Sequence, residues 1–363
     1  MSRVHIIGVR GIPNRYGGFE RLIEVLAPHL AARGHEVVVY CERGPSDPER
    51  DLWHGVERRF VDAQAAGPWR TLQYDWRSFG EVTAGAVALI FGYGTGAFQF
   101  RLRLRGVPHA VNMDGIEWQR SKWGRVARTW LRLNERLAVK MADVLIADHP
   151  EIASDLRRRL DATSTMIAYG VDAAALADTE DPPHPLLERW SEGTFDLVIA
   201  RPEPENQIHL LLRAHATSSR LRPLVLVGNF AANGYGKALL AEHPQAHFVG
   251  PVYEPCVLDS LRRRSVLYLH GHSVGGTNPS LIEAMAAGAM VVAHDNVFNR
   301  WVLGEGGMYF RNELDLAELM NRPPTPERRR ACIAAARLGC QERFLWPDIL
   351  AAYEAVVGRL SSQ

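Results

Sequence analysis

Apolar positions along the chain cluster into short unbroken runs, and the stretches between them repeat with a helical period. Val4–Ile7 is such a run, closed by Gly8, and predicts a strand buried on both faces. Leu22, Val25, Leu26 and Leu30 share one face of a helix predicted from Phe19 to about Arg33. Gly34 ends it, and Val37–Tyr40 predicts the next strand. Strand, helix and strand at this spacing form a βαβ unit and predict a parallel sheet. Runs at Ala86–Phe91, Val107–Asn112, Val144–Ala147 and Thr165–Ala168 continue the pattern. The stretch Asp178–Pro185, DTEDPPHP, interrupts it and predicts a domain boundary. The alternation then restarts at Phe195–Ala200, Leu224–Val227, Phe248–Val249, Val266–Leu269, Met290–Ala293 and Met308–Phe310. Helices predicted at Thr325–Leu338 and Trp346–Leu360 close the chain. The expectation is an α/β protein of two doubly wound units, residues 1–180 and 186–343, with a terminal helical segment 344–363.

Composition narrows this picture more than it changes it. At 363 residues the chain suits two cores better than one. A formal net charge of +1 implies no global polyelectrolyte partner, and no nucleic-acid-binding motif is present. Cys41, Cys256, Cys332 and Cys340 show no C-x-x-C spacing, which argues against a zinc site or a disulfide framework and suits a reducing cytosol. The N-terminus, MSRVHIIGVRG, runs directly into a strand with no signal-like apolar region. The least polar long stretch, Val82–Phe98, is broken by glycines at 85, 92, 94 and 96 and reads as strand, loop and helix start. A cytoplasmic, non-integral protein is expected.

The chemistry concentrates at Leu269–Val292, LHGHSVGGTNPSLIEAMAAGAMVV. A polar loop holding His270, His272, Ser273, Gly275, Gly276, Thr277 and Asn278 leads into a helix opened by Pro279 and stopped by Gly288. Asn278 is the predicted N-cap. Free N–H groups and the positive dipole end at such a helix start favour a phosphate, and the glycines admit a ligand close to the backbone. Glu283, a turn into an otherwise small and apolar helix, is placed to accept two sugar hydroxyls. His270 and His272 alternate at a strand end and are expected on opposite sides, one meeting a phosphate or sugar and the other packed. No further ligands complete a metal site around them, and no D-x-D occurs in the chain. Asn296 and Asn299 are expected to cap a helix or line the same pocket, with capping for at least one.

Three other segments follow predicted strands. The loop Gly11, Ile12, Pro13, Asn14, Arg15, Tyr16, Gly17, Gly18 matches neither a dinucleotide fingerprint nor a Walker loop. It is either a tight βα turn or a place where Gly17 and Gly18 let a helix start approach a diphosphate or an acceptor. Glu20 could meet the acceptor or favour the first helical turn. Asp114, in VNMDGIEWQRSKW, is either a plain turn residue or a polar group of the site, and Glu117 is a weaker candidate. Arg201, in RPEPENQ, offers forked donors suited to phosphate, while Glu203 and Glu205 read as helix-start acids. Finally, residues 101–140 carry Arg101, Arg103, Arg105, Arg120, Lys122, Arg125, Arg128, Arg132, Arg136 and Lys140 interleaved with Trp118, Trp123 and Trp130. That composition suits either an anionic membrane surface or a solvated helix face with its tryptophans in the core.

The segments HSVGGTNPSLIEAM and HDNVFNRWVLG resemble the C-terminal donor site of the retaining GT-B glycosyltransferases of family four, in the branch linked to bacterial rhamnosyl transfer. The resemblance implies two Rossmann-like domains facing each other across a cleft, with the last helix crossing back to the first domain. Glu283 matches the second glutamate of the family's E-x7-E, which holds the nucleotide ribose, and Gly275 stands where the first would be. Arg201 matches the arginine that meets the donor diphosphate, and Asn206 stands in place of a lysine five residues on. Gly17 and Gly18 match a Gly-Gly of the first domain, and Asp114 lies near a residue that contacts donor sugar or acceptor. The resemblance thus implies metal-independent, retaining transfer of a sugar, with rhamnose the expectation, from a nucleoside-diphosphate donor. The expected acceptor is a lipid-linked saccharide or oligosaccharide, with no other cofactor. A sugar-nucleotide epimerase and a non-catalytic sugar-nucleotide-binding protein are the alternatives. A nicotinamide oxidoreductase is excluded for want of a dinucleotide fingerprint.

Overall fold

A computed structural model describes residues 1–14, 17–120, 123–177, 180–219 and 222–362. Of the positions singled out above, Arg15, Tyr16, Lys122 and Asp178 lie outside the described residues. The chain divides into two compact units: residues 1–119, 123–169 and 347–363 form one, and residues 120–122 and 170–346 the other.

The first unit is built on an eight-stranded sheet. Its strands are β1 (Arg3–Ile7), β2 (Glu36–Glu42), β3 (Arg50–Trp53), β4 (Val56–Val61), β5 (Val87–Phe91), β6 (His109–Asn112), β7 (Val144–Ala147) and β8 (Thr165–Met166). They lie in the order β3-β4-β2-β1-β5-β6-β7-β8, with β3 antiparallel to β4 and every other pair parallel. The apolar runs therefore mark the central strands, as burial on both faces requires. The β3–β4 hairpin escapes that pattern because it is an edge, where charged side chains protect the open strand. His54 and Gly55 turn it with φ of 47° and 79°, the left-handed pair of a two-residue hairpin. β1 and β5 part company at Gly8, where a side chain would collide with the Phe91 carbonyl oxygen.

The C-terminal helix, Trp346–Ser361, packs in this first unit from Pro347 onward. Tyr353 is fully buried, its hydroxyl accepts from Asn112 Nδ2 at 2.8 Å, and its ring lies 6.0 Å from that of Phe91. Glu354 accepts from Arg33 at 2.9 Å and meets His29 at 3.3 Å.

The second unit is a six-stranded, wholly parallel sheet in the order β11-β10-β9-β12-β13-β14. These strands are β9 (Asp196–Ile199), β10 (Leu224–Val227), β11 (His247–Gly250), β12 (Tyr268–His270), β13 (Val291–His294) and β14 (Gly307–Phe310). Val198, Leu211, Leu226, Leu269, Val292 and Phe310 stand in one apolar core. The unit begins at Gly170 because Val171 pairs with the chain's end: its N–H donates to Phe344 O at 2.7 Å, and its carbonyl accepts from Trp346 at 3.2 Å. The acidic, proline-rich stretch folds onto this unit as well, Asp181 bridging Arg263 at 2.9 Å and Arg264 at 3.3 Å. Among the described residues no helix is long and apolar enough to cross a membrane.

Candidate functional site

In the second sheet β9 and β12 are neighbours, and the chain runs outward from them in opposite directions. Such a switch point opens a crevice beyond the carboxyl ends of the two strands, where ligands bind in open α/β sheets. Two loops leave it, residues 200–207 and 271–278, and they are fastened together. Ser273 donates to the Glu205 carbonyl through both its N–H and its hydroxyl, each at 2.9 Å. Gly271 has no room for a side chain against the Asn206 carbonyl oxygen. Asn206 is itself buried and spends its amide on the Arg201 carbonyl at 2.8 Å. It therefore shapes the loop from which the exposed Arg201 projects.

The helix Pro279–Ala286 begins as its sequence dictates, with Asn278 Oδ1 accepting from the Ser280 N–H at 3.0 Å. Ser280 Oγ donates to the Ile199 carbonyl at 3.1 Å, which seats the helix start over the end of β9. Gly275 holds φ +149° with open space where a side chain would be, Gly276 follows half-buried, and Thr277 is buried. Gly288 ends the segment at φ +79°.

Glu283 is not a free carboxylate. Its Oε2 accepts from Arg262 Nη2 at 2.5 Å, and Arg262 Nη1 donates to Asp259 at 2.8 Å. Arg262 is fully buried, yet Glu283, Tyr268 and Asp259 outweigh that burial and hold its pKa above the ordinary value. Glu283 keeps 31% of its side-chain surface open, so one oxygen is fixed while an edge of the group faces outward. Nothing in the sequence distinguishes Arg262 from its neighbours Arg263 and Arg264 on the helix Pro255–Arg264.

The two histidines lie on the same side, which corrects the expectation of opposite faces. Residues two apart on a strand share a face, and the rings of His270 and His272 stack 4.3 Å apart at 11°. His270 is buried with no hydrogen-bond partner on either ring nitrogen among the described residues, and burial and then His294 push its pKa down to about 3. Burial, followed by His270, Arg201 and Arg120, also lowers that of His272. Both are neutral imidazoles at physiological pH. Asn296 caps the helix Val297–Leu303, accepting from Phe298 and Asn299, and both asparagines donate to the His272 carbonyl at 2.9 Å. Glu205 stands in the first turn of the short helix Pro204–Asn206 and is buried, 3.6 Å from Arg120. Among the described residues no group of three or more His, Cys, Asp or Glu side chains could hold a metal ion.

The first sheet has its own switch point between β1 and β5. Gly17 precedes the helix Gly18–Ala32 in an extended conformation and provides no side-chain cap. Glu20 is buried and accepts from the Arg10 N–H at 2.8 Å, so it holds the first loop. Asp114 takes φ +52°, its N–H donating to Asn112 Oδ1 at 3.0 Å. Its carboxylate is left half-buried just past β6. Glu117 follows, its N–H on the Tyr93 hydroxyl at 2.8 Å.

Much of the basic segment is engaged locally. Arg103 pairs with Asp143 at 2.8 Å, Arg105 donates to the Phe79 and Val82 carbonyls, and Arg132 lies 4.3 Å over the Trp118 ring. The helix Arg125–Met141 nevertheless exposes Arg125, Arg136 and Lys140 beside Val126 (85% exposed), Leu133 (51%) and Trp130 (39%).

A protein-family profile described as a domain of unknown function, DUF1972, matches residues 1–172. No curated protein matches the sequence. Among solved structures, a sucrose-phosphate synthase from Thermosynechococcus elongatus superposes with a TM-score of 0.83 at 18% identity, over 100% of both chains. HepE of Anabaena, crystallised with UDP and glucose, gives 0.76 at 16% identity, again over 100% of both chains. A UDP-forming α,α-trehalose-phosphate synthase from Burkholderia xenovorans gives 0.73 at 14%, covering 99% of this chain and 100% of that one.

The chain has the GT-B fold. Each unit of a GT-B chain is a doubly wound sheet with its own switch point; the loops after β9, β12 and β1 leave those points here, and the Asp114 loop leaves β6, beside β5.

Proposed function

We propose that this protein is a glycosyltransferase that takes its sugar from a nucleoside-diphosphate donor bound in the second unit. The observation that carries the reading is the pair of fastened loops at the β9–β12 switch point: Arg201 projects from one, and the other ends in the capped start of the Pro279 helix. The diphosphate would lie between the Arg201 guanidinium and the amides of Gly276, Thr277 and Asn278, with Glu283 on the ribose. As the glycosidic bond breaks, negative charge grows on the departing diphosphate, and donors fixed in advance stabilise that charge most. The UDP and glucose named with the HepE structure support a nucleotide-sugar donor.

In its finer form the reading is a retaining, metal-independent transfer of rhamnose to a lipid-linked saccharide. No protein nucleophile stands among the candidates, which favours substitution on one face with the leaving phosphate taking the acceptor's proton. Asp114 would meet the acceptor or the donor sugar, Gly17 and Gly18 would approach it through backbone, and His272 would present a neutral ring to the donor. The exposed basic and apolar face of the helix Arg125–Met141 would rest on the anionic inner surface of the membrane that carries the acceptor.

Calorimetry of the full chain against UDP-, dTDP- and GDP-sugars tests the donor site, and turnover on lipid-linked mono- and disaccharides tests the transfer. Arg201→Ala is expected to lower kcat by roughly 10²–10³-fold. Absence of binding to any nucleotide sugar would overturn the reading.

A further inference from the structure

The first unit holds a cavity of about 710 Å³ that no part of the proposed donor site touches. It lies on the exposed side of the helix Pro68–Glu81, against the β3–β4 edge. Arg43, Arg50, Arg59, Arg77 and Arg101 line it, against the acids Glu49, Asp62 and Glu81. Two of the five arginines are paired with carboxylates: Arg59 with Glu57 at 2.7 Å and Glu81 at 3.6 Å, and Arg43 with Asp62 at 3.4 Å. Arg50, Arg77 and Arg101 have no carboxylate within ion-pair distance among the described residues.

Two of those three are nevertheless placed, while Arg50 stands exposed on the edge strand β3. Arg77 Nη1 donates to the Asp62 carbonyl at 2.8 Å. Arg101 Nη1 donates to the Trp76 carbonyl at 3.0 Å, and its guanidinium lies 4.1 Å over the Trp76 ring. Gly80 makes that posture possible, since a Cβ there would stand 2.8 Å from Arg101 Nη2. Glycine within a helix costs stability relative to alanine, and here the space it opens is filled by a cation. Burial and then the neighbouring Arg105 push the Arg101 pKa below its ordinary value. The planar fork of arginine matches phosphate oxygens two at a time.

We propose that this cavity is a second binding site, taking a phosphate ester through Arg50, Arg77 and Arg101. The ester is either a free sugar phosphate or the phosphate of a lipid headgroup, and the same chemistry recognises both.

The test uses the full chain, with calorimetry against glucose 1-phosphate and inorganic phosphate. Co-sedimentation with phosphatidylcholine vesicles containing phosphatidylglycerol covers the lipid source. Wild type is expected to bind at least one of these, and the R50Q/R77Q variant to bind it at least tenfold more weakly. The R201A variant, altered only at the proposed donor site, is expected to bind the ester as wild type does, which separates this proposal from the donor reading. Binding to glucose 1-phosphate or inorganic phosphate alone assigns a free phosphate, and vesicle binding that the Arg50 and Arg77 substitutions weaken assigns a headgroup at this cavity. Should the double variant fail to fold, R50Q on the exposed edge strand serves instead, with a loss of about threefold expected. No binding by wild type to any probe, or equal affinity in the arginine variants, overturns the proposal.

Discussion

At the scale of single residues, the candidate site is controlled by groups that sequence patterns hide. Glu283 was legible because a carboxylate in a small, apolar helix is conspicuous. Arg262 was not, because three adjacent arginines look solvated and only the fold decides which one turns inward. Replacing Arg262 by Ala leaves Glu283 and Asp259 without their shared cation; breaking a buried pair in this way typically costs about 3–5 kcal/mol. Urea unfolding is expected to show that loss, and nucleotide titration a weaker donor site in whatever protein remains folded. Asp75 is another hidden group, buried beside Thr95, whose hydroxyl donates to it at 2.8 Å. Burial raises its pKa from 3.8 to about 6, against the lowering effects of Thr95 and Arg10. The folded state therefore holds a proton that the unfolded chain releases between those values. Its contribution is fully present below about pH 4 and is lost as pH rises through 6, about 3 kcal/mol in all. Asp75→Asn should abolish that decline. The difference in urea midpoint between variant and wild type should grow in the variant's favour from pH 4.5 to pH 7.5, and a constant difference would refute the assignment.

Among the elements, what the sequence announced and what it concealed divide along burial. Central strands of a parallel sheet are apolar on both faces, so β1, β7 and β10 are readable as runs. The β3–β4 hairpin carries charge on an open edge, and its one strong signal was His54-Gly55, a turn pair easily passed over. Gly55→Ala forces a side chain into the left-handed region and should cost roughly 1–2 kcal/mol, read from the thermal or urea midpoint. The fastening of the two site loops was equally invisible, because it depends on a glycine with no motif of its own. Gly271→Ala sets a methyl group against the Asn206 carbonyl and must part the loop of Arg201 from the loop of Gly276. Nucleotide affinity is expected to fall at least tenfold, since both halves of the proposed diphosphate site shift. An unchanged affinity would place the nucleotide elsewhere.

For the molecule as a whole, a formal charge of +1 conceals an uneven surface. The helix Arg125–Met141 turns Leu131, Asn134 and Ala138 inward together with Glu135, whose charge Arg159 neutralises at 2.7 Å. Its exposed arc is left with cations only, and Val126, Trp130 and Leu133 form an apolar stripe beside them. Basic residues next to exposed aromatic and aliphatic groups favour the boundary of an anionic bilayer, where the apolar side chains enter the headgroup layer and the cations meet phosphate. Each cation near such a surface contributes about 1 kcal/mol, and the attraction fades beyond a Debye length of about 8 Å at physiological salt. The full chain is therefore expected to co-sediment with vesicles rich in phosphatidylglycerol and not with pure phosphatidylcholine. Substituting Arg125, Arg136 and Lys140 by Ser should release it and flatten the salt dependence. Val126→Ser with Leu133→Ser should weaken binding while leaving the salt slope intact, because these side chains act through burial and not charge. If both sets of variants bound as wild type does, this helix would be an ordinary solvated face.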